Sequence, residues 1–328
     1  MHRRTMITVL ALSSLVGISS TAKALNDNTA EWPDKPVKLV VGYPAGGPND
    51  TIARAIGHQL TMTYKQPVIV ENKPGASGNI GSEYVARAAP DGYTAMLNAT
   101  TFSMVNALYQ KLPFDADRDF TPISMVGTST LVLVANPDSS IHSLQDLIDK
   151  ARQQPGKVAF ASTGIGSSPH LAGEMFKQMM GLDLLHVPYK GSAPAITDVI
   201  GGRVPIMFEA LPSAAPFIKS GKLRAIAVTA GQRSAAFPNI PTMAEAGMPD
   251  FEITVWWGVF GPAGMPPTLA NRMSAAVNAT LDTPDIKAQF AALGITPAGS
   301  TPDQFRSVLR ADIKKYGKII KEANIHAN

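Results

Sequence analysis

The sequence predicts an α/β protein of two lobes, each a mostly parallel sheet flanked by helices. Three observations predict it. A strand–helix alternation runs through the first hundred residues and then starts again near residue 143. Two loops of small residues, Tyr43-Pro44-Ala45-Gly46-Gly47-Pro48-Asn49-Asp50 and Thr163-Gly164-Ile165-Gly166-Ser167-Ser168-Pro169-His170, each join an apolar strand to an amphipathic run. After Ala230 the chain turns back to a strand-like segment and three helical stretches, so it crosses between the lobes twice.

The chain of 328 residues is long enough for one large or two medium domains. It begins with Met1-His2-Arg3-Arg4, an apolar run over 7–18 and Ala22-Lys23-Ala24, the layout of a secretory leader cleaved after Ala24. The apolar run is too short to remain as a membrane span. The paired arginines raise the twin-arginine route, but the residues after them fit it poorly. The leader holds Arg3, Arg4 and Lys23 and no acid, so the rest of the chain carries 26 basic and 25 acidic residues, net +1. That balance points away from nucleic-acid and membrane-surface partners. Cysteine is absent, which removes disulfides, thiol catalysis and thiolate metal sites.

In order along the chain, Val37–Val41 reads as the first strand, and Asp50 is placed to cap a helix over 51–64. A second strand over 68–70 ends at Glu71-Asn72-Lys73-Pro74-Gly75, and a helix carries Ile80, Tyr84, Val85 and Ala88. Pro90-Asp91-Gly92 makes a turn into a third strand over 93–98, and a short helix follows over 100–109. The pattern then breaks: a charged stretch over 115–119 precedes two strand-like runs, 123–126 and 131–135. Ser143 with Asp146 forms a capping box for a helix over 144–153, closed by Gly156. Strands over 158–162, 184–188, 204–208 and 223–229 alternate with helices over 171–180, 193–201 and 213–220. A strand over 255–260 and helices over 267–281, 285–293 and 302–323 finish the chain, the last opened by Thr301-Pro302.

The implied organisation is a first lobe of 25–126 plus 230–328 and a second lobe of 127–229, with a ligand cleft between them. This is the plan of a hinged two-lobe binding protein. Both small-residue loops lie at the carboxyl ends of strands, where open parallel sheets hold ligands. A helix start offers N–H groups without intrahelical partners and the positive end of a dipole, so both loops suit an anion.

Candidate contacts are Tyr43 and Asp50 in the first loop and Ser162, Thr163, Ser167, Ser168 and His170 at the second. Asp50 reads first as a cap that also shapes its loop, and His170 as a wall residue rather than a general base. Lys190, near a strand end, is a cation able to pair with an anion. Glu209, also at a strand end, would repel a polycarboxylate or receive a ligand amine or hydroxyl. Enzymatic motifs fail: no nucleophile elbow, P-loop, dinucleotide fingerprint or H-E-x-x-H is present, and the histidines are scattered. No catalytic residue, metal or cofactor is expected. A serine hydrolase using Ser167 or Ser168 with His170 is the competing class, and a ligand-sensing partner of a receptor kinase would share the cleft.

Several motifs resemble one family along the whole chain: Trp32-Pro33 with Val37–Val41, Tyr43-Pro44-Ala45-Gly46-Gly47 with Asp50, and Val70-Glu71-Asn72-Lys73-Pro74-Gly75-Ala76 with Gly78. Pro90-Asp91-Gly92-Tyr93, the Ser162 to His170 loop and Val187-Pro188-Tyr189-Lys190-Gly191 continue it. Ser220-Gly221-Lys222-Leu223-Arg224, Pro241-Thr242 with Glu245-Ala246-Gly247, and Gly261-Pro262-Ala263-Gly264-Met265-Pro266 complete it. The chain resembles the Bug-type (TctC-like) solute receptors of tripartite tricarboxylate transporters. The resemblance implies a periplasmic, type II binding-protein fold that closes like a Venus flytrap on a small carboxylate. In that family the carboxylate is typically held by backbone N–H groups of the two loops and by bridging waters. Carried over, this gives Tyr43, Ala45, Gly47 and Asp50 from one lobe and Thr163, Gly164, Ser167 and Ser168 from the other, with Thr100 as a further contact. It also implies membrane transporter subunits as partners and a monomer in the periplasm. One departure is Glu209 in Met207-Phe208-Glu209, where the family usually carries Asp; the longer side chain would narrow or reshape the distal pocket.

Overall fold

A computed structural model of the chain describes residues 32–322, 325 and 326. The expected leader lies outside the described residues.

Strand β1 (Val37–Val41) has Val40 and Val41 fully buried, the continuous apolar pattern of a strand covered on both faces. It pairs in parallel with β2 (Val68–Asn72) and β3 (Thr94–Ala99). Helices α1 (Pro48–Tyr64) and α2 (Asn79–Ala86) make the crossovers. The helix expected over 100–109 is a 3₁₀ turn, Thr100–Met104, running into a single turn of α-helix, α3 (Val105–Leu108).

The two strand-like runs after it are one strand, β4 (Phe120–Ala135), of 16 residues. Gly127 hid this continuity from the sequence. A Cβ there would lie 2.7 Å from Ile295, and the register against its neighbour shifts between Met125 and Gly127, so the strand bends without ending. Up to Thr130 it pairs with β9 (Thr254–Pro262); from Leu131 it pairs with β7 (Ile206–Ala210), and from Val132 with β8 (Arg224–Val228). The boundary expected after Val126 therefore falls inside a continuous strand.

Helix α4 (Leu144–Gln153) has the expected capping box, with the Ser143 hydroxyl accepting from the Asp146 N–H and the Asp146 carboxylate accepting from the Ser143 N–H. Its C-cap is Gln154 rather than Gly156. Strands β5 (Ala159–Ser162) and β6 (Leu185–Pro188) pair in parallel, and β5 also pairs in parallel with β7. Helices α5 (Ser168–Met180), α6 (Ser192–Ile200) and α7 (Leu211–Lys219) connect them. The chain returns through β9, then α8 (Pro267–Leu281), α9 (Pro284–Leu293), the two-residue β10 (Thr296–Pro297) and α10 (Pro302–Glu322). Each lobe is thus an α/β layer whose outer strands are parallel, and β4 and β9 join them with antiparallel pairs.

The crossings are knotted by buried hydroxyls. Thr229 Oγ1 lies 3.0 Å from Thr130 Oγ1 and 2.6 Å from the Ile253 carbonyl, and it accepts the Leu131 N–H at 3.1 Å. Helix α10 packs back over the first sheet: Phe305 lies against Gly258, where a Cβ would meet its ring at 2.1 Å. Farther along, Tyr316 and Ile320 join Met104, Leu108 and Leu171 in a small cluster that touches both lobes.

Candidate functional site

Strands β1, β3, β5, β6 and β7 all run toward one cavity between the sheets. The first lobe contributes Tyr43, Pro44, Ala45, Gly47, Pro48, Asn49, Ala99 and Thr101. The second contributes Thr163, Ser167, Ser168, Pro169, the 190–194 stretch, Glu209 and Ala210, and Leu131, Val255 and Trp257 complete the wall.

The N-cap residues of four helices line this cavity: Gly47 of α1, Ser167 of α5, Gly191 of α6 and Ala210 of α7. Each helix start leaves N–H groups without intrahelical partners and ends a dipole at its positive pole. Four such ends turn positive dipole poles toward the cavity, and among the described residues no buried cation lines it. Proline in the first turn recurs as Pro48, Pro169, Pro194 and Pro212, preset to the helical φ without sacrificing a bonded N–H. Lys190 lines the cavity but is itself exposed, so it sits at the mouth.

The two loops are held rigid from behind. In the first, buried Asp50 accepts from the Gly46 N–H at 3.0 Å, from Arg54 Nε at 2.9 Å and from Asn72 Nδ2 at 3.0 Å. Burial works to raise its carboxyl, but the hydrogen bonds from Arg54, Gly46 and Asn72 hold it below the ordinary range. In the second, Ser167 caps α5 by accepting the His170 N–H and donates to the Gly164 carbonyl at 2.7 Å. His170 Nδ1 accepts the Gly166 N–H at 3.1 Å, and its ring stacks on His186 at 4.0 Å. His186 Nε2 in turn lies 2.7 Å from Ser162 Oγ. Burial pushes both imidazoles down to about 4, so the pair is neutral at pH 7 and His170 can accept.

The sequence-predicted residues therefore divide. Tyr43, Ala45, Gly47, Thr163, Ser167, Ser168, Lys190 and Glu209 come together on the cavity wall. Gly164 lies instead in a neighbouring groove, with Ser77 and Tyr189 close to it. Asp50, Ser162 and His170 do not line the cavity; they are the braces just described. Asp50 is also not an N-cap: α1 starts three residues earlier than expected, at Pro48, and Asp50 sits in its first turn. Thr100 is fully buried, its hydroxyl accepting the Trp256 N–H at 2.7 Å, and Thr101 reaches the cavity instead.

Asn49, Thr101, Ser192 and Trp257 also line the cavity, although none is a candidate ligand contact from sequence and Trp257 reads there as core or interlobe packing. Asn49 Oδ1 accepts from Trp257 Nε1 at 2.8 Å, while its buried Nδ2 donor has no partner. The signal for Ser192 was present: Gly191-Ser192-Ala193-Pro194 repeats the small-residue and proline helix start of the other two loops. Asn49, Thr101 and Trp257 meet only through tertiary packing.

A serine nucleophile would need a base aimed at its hydroxyl. His170 Nδ1 is taken by the Gly166 N–H and its Nε2 faces Glu174 at 3.8 Å, so neither nitrogen is directed at Ser167 or Ser168. Among the described residues no His, Cys, Asp and Glu cluster is arranged to hold a metal ion, and no helix is long and apolar enough to cross a membrane.

The family model described as the tripartite tricarboxylate transporter family receptor matches residues 52–325. The chain is 38% identical over 293 residues to BugT of Bordetella pertussis, covering 89% of this chain and 90% of that protein. Among solved structures, an R. palustris protein with adipate superposes with a TM-score of 0.87 at 34% identity, covering 90% of this chain and 99% of that one. The periplasmic binding protein BugD gives 0.86 at 32% identity, covering 90% and 100%. With the two-lobe α/β fold and its interlobe cavity, these matches show that the chain belongs to the family of tripartite tricarboxylate transporter receptors.

Proposed function

We propose that this protein is a periplasmic receptor that captures a small carboxylate by closing its lobes and delivers it to the membrane subunits of a tripartite transporter. The observation that carries this reading is the convergence of four helix N-caps, two of them in the opposed loops, on a cavity that no buried cation lines among the described residues. A carboxylate there exchanges its hydration for oriented amide donors, at about 1.5–3 kcal/mol for each charge-assisted hydrogen bond. A few such bonds, less the entropy of association, support an affinity on the order of micromolar or tighter. The adipate-bound relative supports a carboxylate as the cargo. The N-terminal leader supports secretion, with the mature chain starting after Ala24. Lobe one extends to about Thr130 and resumes at about Thr254, with lobe two between them, later than the boundaries expected at 126 and 230 because β4 stays on β9 up to Thr130 and Ile240 and Phe251 pack on the second sheet; the two move as a monomer about the Thr130, Thr229 and Ile253 knot.

The test is a thermal-shift screen of residues 25–328 against mono-, di- and tricarboxylates, acidic amino acids, aromatic acids and neutral sugars. Stabilisation by carboxylates alone is the expected result. Stabilisation by a neutral sugar and by no carboxylate would overturn the proposal.

A further inference from the structure

The cavity wall holds a carboxyl group of its own. Glu209 is 1% exposed and lines the cavity at the end of β7, directly before the N-cap of α7. Its Oε1 accepts from the Ala210 N–H at 2.8 Å and from the Ser192 hydroxyl, at the start of α6, at 3.1 Å. Its Oε2 is buried without a hydrogen-bond partner; the Ser213 hydroxyl near it favours the charged form but completes no bond of good geometry. Among the described residues no cation answers this acid. Asp198 of α6 is taken up with Tyr189 and Arg203, while Lys219 of α7 and Arg224 of β8 bond to the Ala292 and Ile141 carbonyls. On α5, Lys177 pairs with Glu174 and His170 is engaged by the Gly166 N–H; His186 of β6 is engaged by Ser162, and the β4 and β5 segments packed against β7 carry no charged side chain. Among the described residues, the other titratable groups lining the cavity are Tyr43 and the exposed Lys190.

We infer that Glu209 sets ligand specificity: the cargo carries a hydrogen-bond donor, an ammonium or a hydroxyl, at the end that faces Glu209, and a second ionised carboxylate there is rejected. This inference rests on the carboxylate-capture reading above. One end of the ligand takes the loop amides, and the other meets an acceptor whose lone pairs are not all used. A donor there completes the hydrogen bonding of a buried carboxylate; a second carboxylate would face a like charge in a medium that screens it poorly. Burial pushes the Glu209 carboxyl up to about 7, so near neutral pH it is poised between both forms. A dicarboxylate can then enter only with the protonated form, and a donor-bearing ligand gains when the group ionises. The histidine pair at about 4 does not titrate in the window from pH 6 to 8.

The experiment is calorimetric titration of the full mature protein and of Glu209→Gln at pH 6 and pH 8. The probes are matched pairs of equal length: a dicarboxylate, and the monocarboxylate with a terminal hydroxyl or ammonium. In the wild type, dicarboxylate affinity should fall about tenfold from pH 6 to pH 8, following the protonated fraction of a group titrating near 7. The donor-bearing partner should bind equally well or better at pH 8. In Glu209→Gln, which keeps the side-chain shape, dicarboxylate affinity should lose its pH dependence and exceed that of the wild type at pH 8 by about tenfold or more. A dicarboxylate that binds the wild type with no pH dependence, or an unchanged preference in Glu209→Gln, would overturn the inference while leaving carboxylate capture standing. Failure of every carboxylate to bind either protein would overturn both. A circular-dichroism melt of Glu209→Gln confirms folding, and the pH series on the wild type tests the inference without any variant.

Discussion

The two loops that face each other across the cleft have the same shape and opposite supports. Tyr43–Asp50 is braced by charge: Asp50, Arg54 and Asn72 tie the loop to its own helix and to the end of β2. Thr163–His170 is braced without charge, by a capping serine and two stacked neutral imidazoles. Both designs present helix-start amides to the same cavity. They differ in what lies behind the amides, and so in how each lobe responds to pH and to substitution.

The largest effect on ligand affinity should come from the second loop at Gly166. Its φ of +77° suits glycine, and a Cβ there would lie 2.5 Å from Leu108 of the other lobe. Gly166→Leu should weaken ligand binding by about 10- to 100-fold, since overpacking against Leu108 when the lobes close costs ~1–3 kcal/mol. Melting of the unliganded protein should reflect only the backbone strain at positive φ, ~1–3 kcal/mol, which is present with or without ligand. Equal affinity in calorimetry would remove this loop from the site.

Next comes acid. The imidazoles of His170 and His186 stand at about 4 in the folded chain, below their ordinary 6.5. A depressed base contributes stability that is whole above pH 6.5 and is lost as pH falls toward 4, by up to about 3 kcal/mol per histidine. Asp50, held below the ordinary carboxylate range, loses its contribution only at lower pH. Hydrogen exchange at pH 5 should therefore show the Thr163–His170 loop opening before Tyr43–Asp50. Simultaneous opening would contradict the division into charged and neutral braces.

Much of this was legible in the sequence, and the limits have physical causes. Strand–helix order followed from apolar periodicity, and the Ser143 box and Thr301 cap marked true helix starts. Helices α1 and α5 began three residues before the apolar pattern did, because proline and small residues fill a first turn with no core face to betray it. Strand β4 looked like two because its bend is set by Ile295, far along the chain. Loop residues that line the cavity through backbone or small side chains, such as Gly47 and Ser168, could be named from local chemistry. Side-chain direction could not: Asp50, Ser162 and His170 turn away from the cavity toward partners in sequence-distant or neighbouring turns.

Removing the charged brace should matter somewhat less than acid. Asp50→Ala strands the Gly46 N–H and the Asn72 amide, and should lower stability by about 2 kcal/mol in urea unfolding. Asp50→Asn should recover part of that loss, since Arg54 is half exposed and its pairing adds little. The smallest effect belongs to the contact between the lobes themselves. Ser77 Oγ donates to the Ile165 carbonyl at 3.1 Å, so Ser77→Ala should cost the closed form about 1 kcal/mol, read as a fivefold faster ligand release. An unchanged release rate would mean that this bond forms in both open and closed forms.

The central claim is that helix-start amides from both lobes hold an ionised carboxylate. The most direct measurement is calorimetry with one carboxylate from the thermal-shift screen and its primary amide, identical in length and shape. Micromolar or tighter binding of the carboxylate with at least a hundredfold loss for the amide is the predicted result. Equal affinity for the two would contradict it.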